Sequence, residues 1–398
     1  MESIIFKSAT EIVQRIRTKS ISSEEVCHQF LTQIKKHNPK INAITDLRSY
    51  DSIIAEAKKK DKDIRENKTL GLLHGLPITV KDTYNVKGLI TSNGNPQLKS
   101  NIATDDADLI VLLKSEGAII IGKTNLAMYA LDWQSSNKWF GQTNNPYNLD
   151  HVVGGSSGGS AASLASGFSP LELGTDAGGS IRVPAHFCGI YGLRTTESLL
   201  PMRGNMATPN SLRMGRYLTC NGPMARNIDD LTMMMNILSN TDQRYSENPP
   251  VDIKQYTYDS NKSIKIAYSV TIDNIELDAE YKKVYESFLK KIRQSTVVEI
   301  EHTAPNYDSD QLISLWGKVA GFDMGVALNK IPFKRMIASL FIRKMHKDGQ
   351  WAKAMGAGAG INPRRYAEAL QEKDNVSDKF SNFFNQIFRF NNFITRFK

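Results

Sequence analysis

The sequence predicts an α/β fold: one large domain over residues 1–398, with a central mixed, mostly parallel β-sheet that helices cover on both faces. From Gly71 onwards, short runs of apolar and β-branched residues alternate with segments of helical periodicity. One such run, Ala118–Gly122, is continuously apolar, which is typical of a strand buried on both faces of a sheet. Within the domain we expect a helical part, a core and a variable C-terminal part, over residues 1–70, 71–238 and 239–398.

The first part carries the signals of three helices. Ser8 stands three residues before Glu11 at the start of an apolar pattern with helical spacing, which indicates a capping box. The segment Ser22–Glu25 starts the second helix, and Asn38–Pro39 is expected to end it, because proline disfavours helical backbone in the residue before it. A third, highly charged helix is expected over Ala55–Arg65.

The core alternates strands with helices. Its predicted strands are Leu76–Val80, Ala118–Gly122 and Leu171–Thr175, and its predicted helices are Thr104–Leu113 and Ser160–Ser166. Ligands of such folds bind beyond the carboxyl ends of the strands. The expected site therefore includes Lys81 and the loop after Thr175.

The variable part is expected to contain a strand over Ser263–Tyr268 and a helix over Asp278–Arg293, with loops at 203–215 and 240–262. The chain has a net charge of +9, and residues 331–398, which look helical, hold 13 Lys and Arg against 5 Asp and Glu. Basic residues on a solvated helix face explain this excess, so a nucleic-acid partner is not expected.

Composition excludes several other classes of protein. No run of about 18 apolar residues occurs, so no membrane span is expected. The N-terminus lacks the basic and apolar regions of a signal peptide, and a cytoplasmic location is expected. Cys27, Cys188 and Cys220 are widely spaced, which is typical of neither a disulfide framework nor a zinc ribbon. The histidines show no metal-binding spacing, and no cofactor is expected.

A glycine- and serine-rich loop, Gly154–Ser160, leads straight into a predicted helix, which argues against a flexible linker. No Gly-Lys-Ser/Thr follows, as a phosphate-binding loop requires. The Gly-x-Ser-x-Gly match beginning at Gly154 suggests a nucleophile elbow, but the turn-like Pro146–Asp150 precedes it where that elbow needs a strand. Ser135 and Lys138 match the Ser-x-x-Lys of β-lactamase-type enzymes, whose partner motifs are missing.

A set of glycine-rich and charged segments resembles the amidase signature family. The matching segments are Leu73–Asp82, Gly154–Ser163, Gly174–Ala185, Cys188–Thr195 and Gly222–Leu231. The resemblance is strong over Ser8–Leu238 and looser towards the end of the chain. It implies the amidase signature fold and an amidohydrolase that cleaves a carboxylic amide to an acid plus ammonia or an amine, through an acyl-enzyme intermediate.

The resemblance also implies a Ser–cis-Ser–Lys triad. Ser180 matches the nucleophile, Ser156 the bridging serine that follows a cis peptide bond from Gly155, and Lys81 the base. The chemistry is consistent with these residue types. A serine hydroxyl needs a base to become a good nucleophile, and a lysine can serve once burial lowers its pKa towards neutrality. A second serine can relay the proton because a hydroxyl both donates and accepts hydrogen bonds.

Further residues are expected to support the triad. The backbone amides of the run Ala177, Gly178, Gly179 and Ser180 are expected to form an oxyanion hole. The side chains expected to bind substrate or support the loop are Ser157, Thr175, Asp176 and Arg182. Asp176 and Arg182 are interpreted as a brace for the loop, and Cys188 as a small core residue.

The family contains stand-alone amidases, fatty-acid amide hydrolases, indoleacetamide hydrolases and the glutamyl-tRNA(Gln) amidotransferase A subunit. Beyond Ile264 the chain lacks that subunit's Tyr-rich segment around a substrate-reading arginine, and Phe380–Phe384 looks like the generic hydrolases. The sequence therefore favours a stand-alone hydrolase of a small-molecule amide. A homodimer is left open.

Family members continue for some tens of residues past the region around Phe384, whereas this chain ends at Lys398. Truncation or a frame change is one interpretation of that difference. Two alternatives to the stand-alone hydrolase stay open. The membership of the family leaves an amidotransferase A-like protein, and the early end of the chain leaves a catalytically weak, truncated relative with a binding or subunit role.

Overall fold

The structure, a computed structural model, describes residues 3–206, 217–240, 263–269, 277–328 and 349–387. The chain divides into two compact units, Met1–Ile253 and Lys254–Lys398, and each is described by itself. A single domain over 1–398 stays a prediction. Of the predicted loops at 203–215 and 240–262, all but residues 203–206 and 240 lie outside the described residues.

The three helices predicted at the start of the first unit are confirmed. They are α1 (Ala9–Arg17), α2 (Ser23–Ile41) and α3 (Tyr50–Arg65). Ser8 caps α1 by accepting a hydrogen bond from the Glu11 amide, but the Glu11 carboxylate pairs with Arg15. The capping box predicted there is half formed. A complete box occurs at α2, where the Ser22 hydroxyl accepts from the Glu25 amide and the Glu25 carboxylate accepts from the Ser22 amide.

The prediction that Asn38–Pro39 ends α2 is wrong. The helix continues to Ile41 with Pro39 inside its last turn, and it ends at Asn42 in the left-handed conformation. The physical reason is local compensation. The Asn42 amide donates to the Asn38 carbonyl at 2.7 Å, and the Asn38 side chain accepts from the Ala43 amide at 2.9 Å. These bonds hold the last turn from its C-terminal side and offset the backbone hydrogen bond that Pro39 cannot donate.

The strands of the first unit form two three-stranded sheets and a short hairpin. The first sheet has the order β1–β3–β2 and contains β1 (Ile44–Leu47), β2 (Pro77–Lys81) and β3 (Ile119–Thr124). The hairpin pairs β4 (Ser136–Asn137) with β5 (Gly141–Gln142). The second sheet has the order β6–β8–β7 and contains β6 (Leu171–Asp176), β7 (Tyr191–Gly192) and β8 (Cys220–Ala225).

The helices that follow these strands complete the first unit. They are α4 (Asp108–Ser115), α5 (Gly158–Ala165), α6 (Arg182–Phe187) and α7 (Ile228–Ser239). The predicted mixed α/β fold is confirmed. A single central, mostly parallel sheet stays a prediction: among these strands β2 runs parallel to β3, whereas β1–β3, β6–β8 and β7–β8 are antiparallel.

The core positions the site through the alternation of strand side chains. Ile78 and Val80 of β2 lie in one buried apolar cluster together with Leu171 and Leu173 of β6. Thr79 and Lys81 belong to the opposite face of β2, because successive side chains along a strand point to opposite faces. Since β2 contacts β6 directly, that second face brings polar side chains of both strands together.

The second unit contains the predicted strand and helix. Its elements are β9 (Ile264–Tyr268), α8 (Ala279–Arg293), β10 (Val298–His302), α9 (Ser309–Leu328), α10 (Gln350–Ala359) and α11 (Pro363–Ile387). Strands β9 and β10 pair in parallel. The described residues of the basic C-terminal segment, 349–387, are largely helical as predicted.

Candidate active site

Lys81 ends strand β2 and is fully buried. Its Nζ donates to three hydroxyl groups: Ser156 Oγ at 2.7 Å, Ser157 Oγ at 2.9 Å and Thr175 Oγ1 at 2.7 Å. Within the described residues no carboxylate lies within ion-pair distance of this amine. The lysine is therefore solvated by hydroxyl dipoles alone.

This environment lowers the pKa of Lys81 to about 7, because burial penalises the charged ammonium, while the charge of Asp176 acts weakly in the opposite direction. Near neutral pH a large fraction of the amine is then unprotonated. An unprotonated, buried amine in contact with a hydroxyl can accept that hydroxyl's proton, which is the property required of a general base.

The glycine–serine loop before α5 carries Ser156 after a cis peptide bond from Gly155. A Cβ at Gly155 would lie 2.7 Å from the Gln134 amide nitrogen, so only glycine fits against that segment. Ser135, the next residue of that segment, holds the loop as well: its hydroxyl donates to the Ser156 carbonyl at 3.1 Å and accepts from the Gly158 amide at 2.8 Å.

Ser135 is a loop-supporting residue that the sequence did not reveal. In the sequence, Ser135 is noticed only because it matches the Ser-x-x-Lys of β-lactamase-type enzymes together with Lys138. In the structure the two residues have different environments. Ser135 is buried and bonded to the loop, whereas Lys138 is exposed. No signal short of the loop's three-dimensional path identifies this role.

Ser180 lies two residues before the start of α6, with 8% of its surface exposed. Its carbonyl accepts from the Ser157 amide at 3.0 Å, which ties its backbone to the loop that carries Ser156. The hydroxyl of Ser180 has no hydrogen bond within the residues that the structure describes. Lys81, Ser156, Ser157 and Thr175 are thus joined by side-chain hydrogen bonds, while Ser180 is joined to them through its backbone.

Asp176 organises the turn between β6 and α6. Its buried carboxylate accepts from the Gly179 amide at 2.8 Å and the Ile181 amide at 3.1 Å, and from the Arg182 guanidinium at 3.0 and 2.9 Å. Burial acts to raise the pKa of Asp176, but the bonds from Arg182 and from these amides outweigh it and hold the pKa below its ordinary value. Gly179 adopts a φ of +110°, which favours glycine.

The four amides expected to bind an oxyanion are not equivalent. That of Gly179 donates to Asp176, whereas the amides of Gly178 and Ser180 make no hydrogen bond within the described part of the chain. Trp133, which sequence reasoning missed, donates its indole N–H to the Gly178 carbonyl at 2.8 Å. This bond fixes the orientation of the peptide that carries the Gly179 amide and leaves two amides available to a ligand.

Most of the chain matches the model of one protein family. The model of the family described as Amidase matches residues 25–392. The chain belongs to the amidase family. The predicted membership of the amidase signature family is confirmed by this match and by the structural neighbours of the chain.

The curated relatives of the chain carry a more particular description. The glutamyl-tRNA(Gln) amidotransferase A subunit of Sulfurihydrogenibium sp. (strain YO3AOP1) is 33% identical over 302 residues, which cover 75% of this chain and 61% of the relative. The protein of that description from Methylobacillus flagellatus is 35% identical over 306 residues, which cover 76% of this chain and 61% of the relative. The chain therefore spans about three fifths of the length of these relatives.

Solved structures resemble this chain over most of its length. One described as fatty acid amide hydrolase aligns with a TM-score of 0.81 and 25% identity, covering 96% of this chain and 66% of that one. A bacterial aryl acylamidase of the amidase signature family aligns with a TM-score of 0.76 and 24% identity, covering 96% and 78%. The likeness to the aryl acylamidase shows that the chain has the same fold.

Two further properties concern the described residues alone. They contain no cluster of three or more His, Cys, Asp or Glu side chains able to hold a metal ion. None of their helices is both long and apolar enough to cross a membrane.

Proposed function

We propose that this amidase is an amidohydrolase that cleaves a carboxylic amide to an acid and ammonia or an amine. Ser180 is the nucleophile, Ser156 relays protons and Lys81 is the base. The observation that carries the proposal is the fully buried Lys81 amine, which lies 2.7 Å from Ser156 Oγ. The loop that carries Ser156 is in turn bonded, through the Ser157 amide, to the backbone of Ser180.

The reaction begins with proton transfer along the hydroxyl chain. Unprotonated Lys81 takes the proton of Ser156 as Ser156 takes that of Ser180, and Ser180 Oγ bonds to the amide carbon. The oxygen of the tetrahedral intermediate accepts from the Gly178 and Ser180 amides, and losing one such donor typically costs about 3 kcal/mol. The C–N bond then breaks as Lys81 returns its proton, through Ser156, to the leaving nitrogen. Water releases the acyl group from Ser180 by the same route.

The supporting residues hold this arrangement in place. Ser157 and Thr175 fix the Lys81 amine from two sides, at 2.9 and 2.7 Å. Asp176 and Arg182 hold the turn that presents the Ser180 nucleophile. The substrate is a small-molecule amide, and no cofactor takes part.

A second candidate function is favoured by the curated relatives, which are described as amidotransferase subunits at 33% and 35% identity. In that case the same acyl transfer releases ammonia for a second substrate, and a partner subunit completes the activity. The third alternative, a catalytically weak relative with a binding role, keeps the fold without turnover. The stand-alone hydrolase, the cytoplasmic location and a homodimer stay predictions from the sequence.

Covalent labelling by a fluorophosphonate probe tests the catalytic proposal. The wild-type protein is expected to be labelled, and both Ser180→Ala and Lys81→Ala are expected to lose labelling while retaining the circular dichroism spectrum of the wild type. Ser166→Ala is the matched control, because Ser166 ends α5 away from the triad and its hydroxyl has no partner among the described residues. Labelling that persists in Ser180→Ala, or fails in folded wild-type protein, contradicts the proposal.

Ammonia release separates the hydrolase from the amidotransferase subunit. Purified, size-checked protein is screened with aliphatic, aryl and fatty amides and with glutamine. Release from a simple amide by the isolated protein supports the stand-alone hydrolase. A stable co-purifying partner, together with no release from any simple amide, favours the subunit.

A further inference from the structure

Glu172, the second residue of β6, carries a fully buried carboxyl group that the proposed reaction does not use. The Thr79 hydroxyl donates to its Oε1, and Thr79 is in turn hydrogen-bonded to the Ser163 hydroxyl at 2.9 Å. Its second oxygen, Oε2, is buried and has no hydrogen-bond partner among the described residues. A buried carboxyl of this kind requires an explanation, since unpaired buried charges are very costly.

Among the residues that the structure describes, no charged group compensates Glu172. The elements packed around it are β2, β8, α5 and α7, and α5 contributes no titratable side chain. The titratable groups on the other elements, on β6 itself and just after β8 are Lys81, Asp176, Cys220, Arg226, Asp229 and Asp230. None of them contributes appreciably to the ionisation of Glu172.

The carboxyl group is therefore neutral under ordinary conditions. Burial raises the pKa of Glu172 to about 8, while the hydrogen bond from Thr79 and the nearby hydroxyls of Ser160 and Ser163 act in the opposite direction. Ionisation above that pH would place a negative charge on an oxygen with no donor to receive it. A neighbouring hydroxyl would have to turn towards the charge, and the bond that now joins Thr79 of β2 to Ser163 of α5 would change.

Those elements carry the triad. Thr79 lies two residues before Lys81 on the same face of β2, and its amide donates to Ser169 Oγ at 3.1 Å. Ser163 belongs to α5, whose N-terminus follows the relay serine. No backbone pairing joins β2 to β6 among the described strands, so the bond from Thr79 to Glu172 is a direct link between them.

We propose that Glu172 is a positioning residue for the acyl-transfer reaction and that it holds β2, β6 and α5 in their catalytic arrangement only while its carboxyl group is protonated. The inference rests on the proposed function. It predicts two opposing effects of pH. Rising pH frees the Lys81 amine of its proton, with a pKa of about 7, and then ionises Glu172, with a pKa of about 8. Activity is therefore confined to a window between the two.

The labelling rate of Ser180 by a fluorophosphonate probe, measured from about pH 6 to pH 10, tests this window. In the wild-type protein the rate is expected to rise through pH 7 and to fall from its maximum by about sixfold at one pH unit above the pKa of Glu172. Glu172→Gln mimics the neutral carboxyl group and cannot ionise. The labelling rate of this variant is expected to rise through pH 7 as in the wild-type protein, and not to fall at higher pH.

A purely structural role would lower the rate of Glu172→Gln at every pH without changing the shape of the profile. If the labelling rate falls at alkaline pH to the same extent in the wild-type protein and in Glu172→Gln, the inference is overturned. Thr79 supplies a second pair of variants: Thr79→Val removes the hydroxyl that reaches Glu172, whereas Thr79→Ser keeps it. The valine variant is expected to be labelled more slowly than the serine variant, and equal rates count against the link.

Stability gives a readout that does not depend on catalysis. A group whose pKa is raised on folding stabilises the protein below its unfolded value, here 4.5, and loses that contribution as pH rises towards about 8. Chemical denaturation between those values should show this loss in the wild-type protein and not in Glu172→Gln. If the free energy of unfolding depends on pH equally in the wild-type protein and in Glu172→Gln, the carboxyl group of Glu172 is not neutral in the folded protein. Absent labelling of the wild-type protein at every pH contradicts the proposed function instead.

Discussion

Lys81 gains its reactivity from the kind of neighbours it has. Three hydroxyls hold its amine without supplying a negative charge, so hydrogen bonding orients the group while burial lowers its pKa to about 7. A carboxylate in place of Thr175 would bind the amine more strongly and would keep it protonated. Asp176, the carboxylate whose charge acts on Lys81, instead accepts hydrogen bonds from Arg182 and from backbone amides.

Ser135→Ala tests how far the loop depends on a residue outside the motif. The change removes the donor to the Ser156 carbonyl and the acceptor of the Gly158 amide, both of which are then left buried. We expect a loss of about 1–3 kcal/mol in the free energy of unfolding. The labelling rate of Ser180 is expected to fall as well, because the relay serine is no longer fixed.

Ser166→Ala again provides the comparison, since it removes a buried serine hydroxyl that has no described partner. Chemical denaturation and fluorophosphonate labelling are measured on both variants. A Ser135→Ala protein as stable and as rapidly labelled as Ser166→Ala would show that the loop does not need this support.

At the scale of residues, the sequence identified side chains that a motif marks and missed those that only the fold brings to the site. Lys81, Ser156 and Thr175 stand in recognisable segments, and the structure joins them by hydrogen bonds. Trp133 lies 45 residues before the carbonyl that it contacts, in a segment without a motif. Glu172 looks like an ordinary polar residue of a strand until its complete burial is known.

Elements were predictable where their patterns are local. The strand ending at Lys81 and the helices near the N-terminus follow from periodicity and capping residues, whereas the end of α2 depended on the bonds around Asn38. Packing between elements was not predictable in this way. Helices α9 and α10 approach so closely that a Cβ at Gly321 would lie 2.1 Å from the Met355 carbonyl oxygen.

Gly321→Ala tests this helix crossing. The added methyl group meets backbone of α10, which cannot move aside as a flexible side chain could, so the helices must separate. We expect a loss of about 1–3 kcal/mol in stability, which is typical of overpacking. Thermal unfolding of the full chain measures it, with Gly360→Ala as the control because the nearest atom to a Cβ there is 3.9 Å away. Equal melting temperatures for the two variants would refute the close crossing.

Arg226 and Asp230 bridge separations of more than 200 residues in the sequence. The Arg226 guanidinium donates to the carbonyls of Ile5 and Lys7, more than 200 residues away, and also to those of Leu164 and Ser169. Asp230 caps α1 by accepting from the Ala9 amide at 2.7 Å. These bonds close the first unit by joining its N-terminal helices to the sheet that carries Thr175 and Asp176. Because they depend on contacts so distant in sequence, local pattern could not predict them.

Arg226→Met measures what this closure contributes to the whole molecule. Methionine preserves much of the side-chain length but leaves four carbonyl oxygens without their charged donor. Burial lowers the pKa of Arg226 to about 10, so the arginine remains charged across the neutral range and its bonds are charge-assisted. We expect the variant to lose about 3 kcal/mol in the free energy of unfolding, as for hydrogen bonds to a charged group.

Arg364→Met makes the matched change at an arginine whose side chain is 88% exposed, where the pair with Glu368 contributes little. Denaturant unfolding of the two variants, followed by far-ultraviolet circular dichroism, gives the comparison. If Arg226→Met unfolds at the same denaturant concentration as Arg364→Met, the N-terminal helices do not depend on this arginine. If only Arg226→Met is destabilised, and fluorophosphonate labelling falls with it, then a side chain far from Ser180 in sequence stabilises the framework on which the triad is built.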